Sequence, residues 1–189
     1  MRQIAVQTLA RLRVTLGFVF GVIVLALAEP TGRSLVIGLG VAAAGEALRV
    51  WASGHLNKAR EVTASGPYRW VPHPLYVGST VMGIGLAIAC ASVTAAVLIA
   101  FYLATTLAAA IKSEEAFLRR TFGDQYDLYR EGQIARRAAS ARHPPRRFSA
   151  AQAIANREHR ALVGFVVVVL LLILKATYNG AFWRGAVGP

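Results

Sequence analysis

Five apolar runs, set apart by short polar or basic segments, organise this chain. Val14 to Ala28 carries no charge. At 1.5 Å per residue it reaches about 22 Å, short of a ~30 Å hydrocarbon core. Leu9, Ala10 and Leu12 extend it, provided that Arg11 and Arg13 snorkel toward the surface. The second run covers 35–52 and is interrupted by Glu46 and Arg49; the third covers 75–89 and the fourth 93–111. Only Cys90, Ala91 and Ser92 separate the last two, which predicts a tight antiparallel hairpin. The fifth covers 161–176 and extends past Lys175 toward Phe182 and Trp183. No A-x-A site here precedes a soluble domain, so the first run reads as a span and not as a cleavable signal. The pattern predicts one all-α membrane domain over residues 1–189, a polytopic bundle of about five transmembrane helices.

The intervening segments have a different character. Residues 53–74 show no long apolar period, and Gly66-Pro67 with Pro72 and Pro74 around His73 keeps them out of a continuous helix. Residues 112–135 continue the fourth helix as an amphipathic stretch. Glu115, Leu118, Phe122, Tyr126 and Tyr129 share one helical face, and Gly123-Asp124 suggests a helix end followed by an N-cap. Residues 136–160 are rich in Arg and Ala, with Pro144-Pro145, and read as a basic surface arm. Its arginines suit an anionic leaflet.

Composition sharpens this reading. Hydrophobic residues make up 56% of the 189 positions and charged ones 16%, which excludes a disordered basic tail or a histone-like nucleic-acid binder. Twenty-one Lys and Arg oppose nine Asp and Glu, a formal net charge of +12. With the N-terminus cytoplasmic, 17 of the 21 cations fall in inside segments and 3 outside, with Arg49 within the second run. That asymmetry predicts N-terminus in, with 53–74, 112–135 and the arm all facing the cytoplasm. Cys90 is the lone cysteine, and His55, His73, His143 and His159 have no metal-ligand spacing, so no metal site is expected.

Three groups of residues carry candidate chemistry. Glu46 and Arg49, three apart within a span, are either a self-neutralising pair or a functional one. The stretch Gly66 to Gly78 holds Tyr68, Arg69, Trp70, His73 and Tyr76 beside free backbone groups; it is either an interfacial aromatic belt or a ligand loop. Gly83 and Gly85 allow close approach of a helix or of a ligand. Glu114 and Glu115 repel each other and need a cation, which is either Lys112, Arg119 or Arg120, or a bound ligand.

The run Gly-Pro-Tyr-Arg-Trp-Val-Pro-His-Pro-Leu-Tyr-Val-Gly at 66–78, followed by Glu114-Glu115, Leu118, Phe122-Gly123, Tyr126 and Tyr129, resembles the isoprenylcysteine carboxyl methyltransferase family. That family includes the integral-membrane phospholipid methyltransferases. Leu48-Arg49-x-Trp51-Ala52 is similar too, so the likeness covers about residues 45–130. It implies an S-adenosylmethionine-dependent methyltransferase acting on a lipophilic acceptor in a bacterial-type inner membrane, with no nucleic-acid partner. The implied cofactor residues are Tyr68, Arg69, His73, Tyr76, Gly78, Glu114 and Glu115; Gly83 and Gly85 resemble a G-x-G of the phospholipid branch. A carboxylate suits the cofactor's ammonium, and aromatic rings suit its adenine and its sulfonium. Pro72 stands where the family usually has Arg, and Gly132 where carboxyl-methylating members have another Arg. Arg130 is a substitute for the second, and Glu46 and Arg49 join it as candidates for positioning the acceptor. Two other readings stay open: an NADPH-dependent membrane reductase of the sterol type, and a non-catalytic lipid-binding member of the same fold.

Overall fold

A computed structural model describes residues 17–57, 63–131 and 147–180. The described chain is all-α. Its helices are α1 (Gly17–Leu27), α2 (Gly32–His55), α3 (Pro74–Cys90), α4 (Val93–Phe122), α5 (Asp124–Arg130), α6 (Ala150–Ala155) and α7 (Glu158–Tyr178), with a 3-10 turn at Gly66–Arg69. α2, α4 and α7 are long and apolar enough to cross a membrane; α1 and α3 are shorter. Val97 and Phe101 on α4, and Val163, Val166, Leu170 and Leu174 on α7, are exposed. Such faces are stable only against hydrocarbon, so the fold is a membrane helix bundle.

One end of the bundle is closed by helix termini that satisfy one another. Thr31 and Ser34 form a reciprocal cap at the start of α2, and Ser34 Oγ also donates to Ala89 O at the end of α3. The Glu29 amide donates to Cys90 O at 2.7 Å. Ala91 in the left-handed region and Ser92 as N-cap turn the chain into α4. Lys175 Nζ donates to Leu25 O and Ala26 O at 2.6 and 2.8 Å, which caps α1 from α7. Ala28, Leu35, Ala89, Cys90, Ala95, Leu172 and Ala176 are buried together beneath these contacts. The C-terminal ends of α1, α3 and α7 and the N-terminal ends of α2 and α4 therefore meet here, so the five long helices alternate in direction.

The closest helix pair is α2 with α3. A Cβ on Gly38 or Gly45 would collide with the α3 backbone at Ala89 or Met82, and one on Gly85 with the α2 backbone at Ala42. Small residues one heptad apart on both helices let the backbones touch, the usual basis of helix association in lipid. Gly83 serves the same purpose toward α4, because it leaves room for Leu103. The Gly83 and Gly85 pair is thus used for packing helices.

Some boundaries differ from the sequence expectations. α4 runs unbroken for 30 residues, about 45 Å, so its last third projects beyond a hydrocarbon core. Gly123 (φ 50) ends it and itself stands as the N-cap position of α5, with Asp124 already helical. α7 begins at Glu158. Residues 136–146 of the expected arm lie outside the described residues, but 147–158 are packed on α2 and are not a free surface segment. Ser149 N donates to Gly54 O at 3.1 Å. Asn156 Nδ2 donates to Ser53 O and Leu56 O, both at 2.8 Å. These bonds cap carbonyls that the end of α2 would otherwise leave unsatisfied.

Candidate functional site

The other end of the bundle gathers the C-terminal ends of α2 and α4, the N-terminal ends of α3 and α7, and the short elements between them. The loop from α2 to α3 is positioned at three points. Gly66 adopts φ +57, and a Cβ there would lie 2.6 Å from the His55 ring, so only glycine fits. Tyr68 is buried with Ala52 of α2 and with Leu56 just beyond its end, and Leu75 packs against them. Tyr129 of α5 donates its hydroxyl to Tyr68 O at 2.9 Å, which ties α5 down across the loop. Pro74 occupies the first turn of α3, where its missing N–H costs nothing, and leaves His73 as the N-cap residue.

This loop and α4 bring the acidic pair and the aromatic motif together. His73 Nε2 lies 3.5 Å from Glu115 Oε1, and His73 Nδ1 lies 3.9 Å from Glu114 Oε2. Tyr76 hydrogen-bonds to the Glu114 carboxylate. The His73 and Tyr76 rings are 5.6 Å apart. Both carboxylates stay partly exposed, Glu114 at 37% and Glu115 at 25% of the side chain.

Beside them lies a cleft of about 990 Å³. Its polar end is formed by Tyr68, Tyr76, Glu114 and Tyr129. From there it follows α4 into the apolar part of the bundle along Ala110, Leu107 and Thr106, and reaches Tyr102. The Thr105 and Thr106 hydroxyls are returned to the backbone carbonyls of Phe101 and Tyr102, which leaves their methyl groups to the surroundings. Tyr102 is stacked on Phe20 of α1, with centroids 4.5 Å apart and planes at 16°. Burial, with the Glu114 charge as a further cause, raises the Tyr68 hydroxyl well above the usual tyrosine range. Burial also raises Tyr129, with Tyr126 and Glu114 adding to it. Both tyrosines are therefore neutral hydrogen-bond donors across the physiological range.

The other sequence candidates are placed elsewhere. Gly78 faces α2, where a Cβ would meet Arg49 Cγ at 2.7 Å and Gly45 O at 2.8 Å. Arg69 is exposed, and the side chain of Arg130 lies outside the described residues. Glu46 and Arg49 line no part of the cleft. They belong to a separate buried cluster, in which Arg49 Nε is 3.1 Å from Glu46 Oε2 and Arg49 Nη2 is 2.7 Å from Glu158 Oε1. Arg49 Nη1 donates to Ser79 Oγ of α3. Two carboxylates and a serine thus surround one guanidinium, and the cluster joins α2, α3 and α7. Sequence reasoning missed Glu158, although a signal existed: it is the sole acid after Glu131, set in a basic segment at the mouth of an apolar run. The anchoring role of Tyr129 and the cleft-lining position of Tyr102 were missed as well, since neither is apparent without the partner helix.

Comparison with known proteins adds three findings. A family model described as phospholipid methyltransferase matches residues 16–125. The nickel-cobalt-cadmium resistance protein NccN of Alcaligenes xylosoxydans xylosoxydans is 35% identical over 83 residues, which is 43% of this chain and 38% of that protein's length. No solved structure matches the chain.

Proposed function

The chain belongs to the phospholipid methyltransferase family, and from that premise we propose that it is an S-adenosylmethionine-dependent membrane enzyme that methylates a lipophilic acceptor. One observation carries the reading: a single cleft joins an acidic, aromatic end to an apolar channel along α4. A volume of about 990 Å³ lies at the top of the range for ligand pockets and suits a cofactor together with part of an acceptor.

The donor set fits this cofactor. Glu114, partly exposed at the cleft wall, takes the α-ammonium group as a charge-assisted hydrogen bond. Tyr68 and Tyr76 present aromatic faces to adenine and to the positive sulfur. His73 and Glu115 pair at the rim and hold the start of α3 against α4. The cofactor supplies an electrophilic methyl group, so the protein's main task is alignment and exclusion of water. The apolar wall from Ala110 to Tyr102 does this by accepting hydrocarbon from the bilayer side and leaving the acceptor's polar head beside Tyr76 and Glu114. Because their hydroxyls stay protonated, Tyr68 and Tyr129 add no negative charge to the site.

The segments around the cleft are the basic ones, so the proposed orientation puts the cleft at the cytoplasmic face of an inner membrane. Glu46 and Arg49 lie outside the cleft, and acceptor positioning is not assigned to them.

Incubating purified protein with methyl-labelled S-adenosylmethionine and a total membrane extract tests the reading. Label is expected in the lipid-extractable fraction. Its confinement to unreacted cofactor, across lipid, thiol and prenylated-peptide acceptors, would contradict methyl transfer.

A further inference from the structure

His73 presents a ring nitrogen to each of the two carboxylates of α4. Nε2 lies 3.5 Å from Glu115 Oε1, and Nδ1 lies 3.9 Å from Glu114 Oε2. A neutral imidazole has one N–H donor and one acceptor nitrogen, whereas an imidazolium has two donors. In either neutral tautomer a ring lone pair would therefore point toward a carboxylate oxygen. The arrangement is complementary to the charged ring. Only 16% of the His73 side chain is exposed, so these carboxylates weigh heavily on its proton. Tyr76, on the helix that His73 opens, is the other titratable side chain paired with this group. The nearest cations along the chain, Arg69 and Lys112, are exposed.

The three residues do not meet the cleft equally. Glu114 lines it, whereas His73 and Glu115 do not. The Glu114 carboxylate thus has the cleft on one side and the imidazole on another. A cation entering the cleft and a charged His73 draw on the same acid, and each opposes the other.

We propose that cofactor binding at Glu114 is linked to loss of a proton from His73. Before the cofactor arrives, the imidazolium is held between Glu114 and Glu115. When the ammonium group of S-adenosylmethionine takes Glu114, one N–H bond of the ring breaks, its electron pair stays on nitrogen, and the proton passes to water at the partly exposed rim. This rests on the methyltransferase reading and adds a regulation to it. The free site binds more protons than the loaded one, so affinity rises with pH through the histidine range of about 5 to 8. His73 acts through Glu114 and is a positioning residue.

The test is calorimetric titration of the full-length chain with S-adenosylmethionine at about pH 5.5, 6.5 and 7.5, above the carboxylate range and below that of the α-amino group. Each pH is run in two buffers of different ionisation enthalpy, so that the heat reports protons released. In the wild type, Kd is expected to fall about tenfold across this range, with a proton released on binding. In His73→Gln the pH dependence and the release should both disappear; His55, His143 and His159 remain in that variant, so the difference reads His73 alone. Glu115→Gln, outside the cleft, removes one partner of the imidazolium and should move the transition to lower pH, which decides the matter if His73→Gln fails to fold. Binding with a pH-independent Kd, proton release that persists in His73→Gln, or an unmoved transition in Glu115→Gln would overturn the proposal and leave methyl transfer standing. Absence of binding at every pH would contradict the methyltransferase reading, and the proposal with it.

Discussion

Two clusters of the same residue types lie near the same end of this bundle, and they are built differently. Around Arg49, two carboxylates and a serine converge on one guanidinium, which binds three helices together. Around His73, two carboxylates approach one imidazole at 3.5 and 3.9 Å and stay partly exposed, and Glu114 lines the cleft. The first cluster spends its cation on structure. The second keeps both carboxylates partly exposed, at 37% for Glu114 and 25% for Glu115. An ionisable residue inside a membrane segment is thus no sufficient sign of catalysis; what matters is whether its partners come from the protein or from outside.

Mutations should separate the two clusters. The largest effect is expected for Arg49→Ala, which leaves Glu46 and Glu158 buried without their counter-ion. Removing one member of such a group typically costs about 3–5 kcal/mol, so the melting temperature should drop steeply or the protein should fail to accumulate. A variant with near-normal melting would erase the distinction. Next is Glu114→Ala at the open cluster. Stability should change little there, whereas cofactor affinity should fall roughly ten- to a hundredfold, the value of about 1.5–3 kcal/mol for a hydrogen bond to a charged group. Calorimetric titration with S-adenosylmethionine reads it.

Tyr129→Phe should fall between these in character and below them in size. It removes the donor to Tyr68 O, about 1 kcal/mol of stability, and loosens the loop that carries the polar end of the cleft. A modest fall in melting temperature should accompany weaker cofactor binding. The smallest effect concerns alkaline pH. Tyr68 and Tyr129 hold their protons more tightly when folded than the ordinary value of 10.0. Their contribution is fully present below pH 10 and is lost as pH rises above it. Melting temperature should accordingly be insensitive to these groups through neutrality and decline above about pH 10, and Tyr129→Phe should blunt the decline.

What the sequence could show follows from which interactions are local. Apolar runs report helices directly, because lipid exposure leaves no other backbone solution. The link from Glu114-Glu115 to the loop at Tyr68–Tyr76 was legible only through the family likeness, since the helical hairpin that brings them together spans about forty residues of chain. Long-range partners were hidden. Nothing beside Arg49 reveals that Glu158, over a hundred residues away, neutralises it, and nothing beside Gly78 reveals that it faces α2 and not the cleft. The turn at Gly123 shows the same limit at short range. The apolar period runs through it, but its positive φ ends α4 and starts a separate short helix.

The central claim is that the cleft beside Glu114 binds S-adenosylmethionine while the Arg49 cluster does not take part. Calorimetric titration of the wild-type chain, Glu114→Ala and Glu158→Gln tests it most directly. Binding by the wild type, its loss in Glu114→Ala, and its retention by whatever fraction of Glu158→Gln folds are the results expected. Absence of binding at millimolar cofactor in the wild type, or undiminished affinity in Glu114→Ala, would contradict the account.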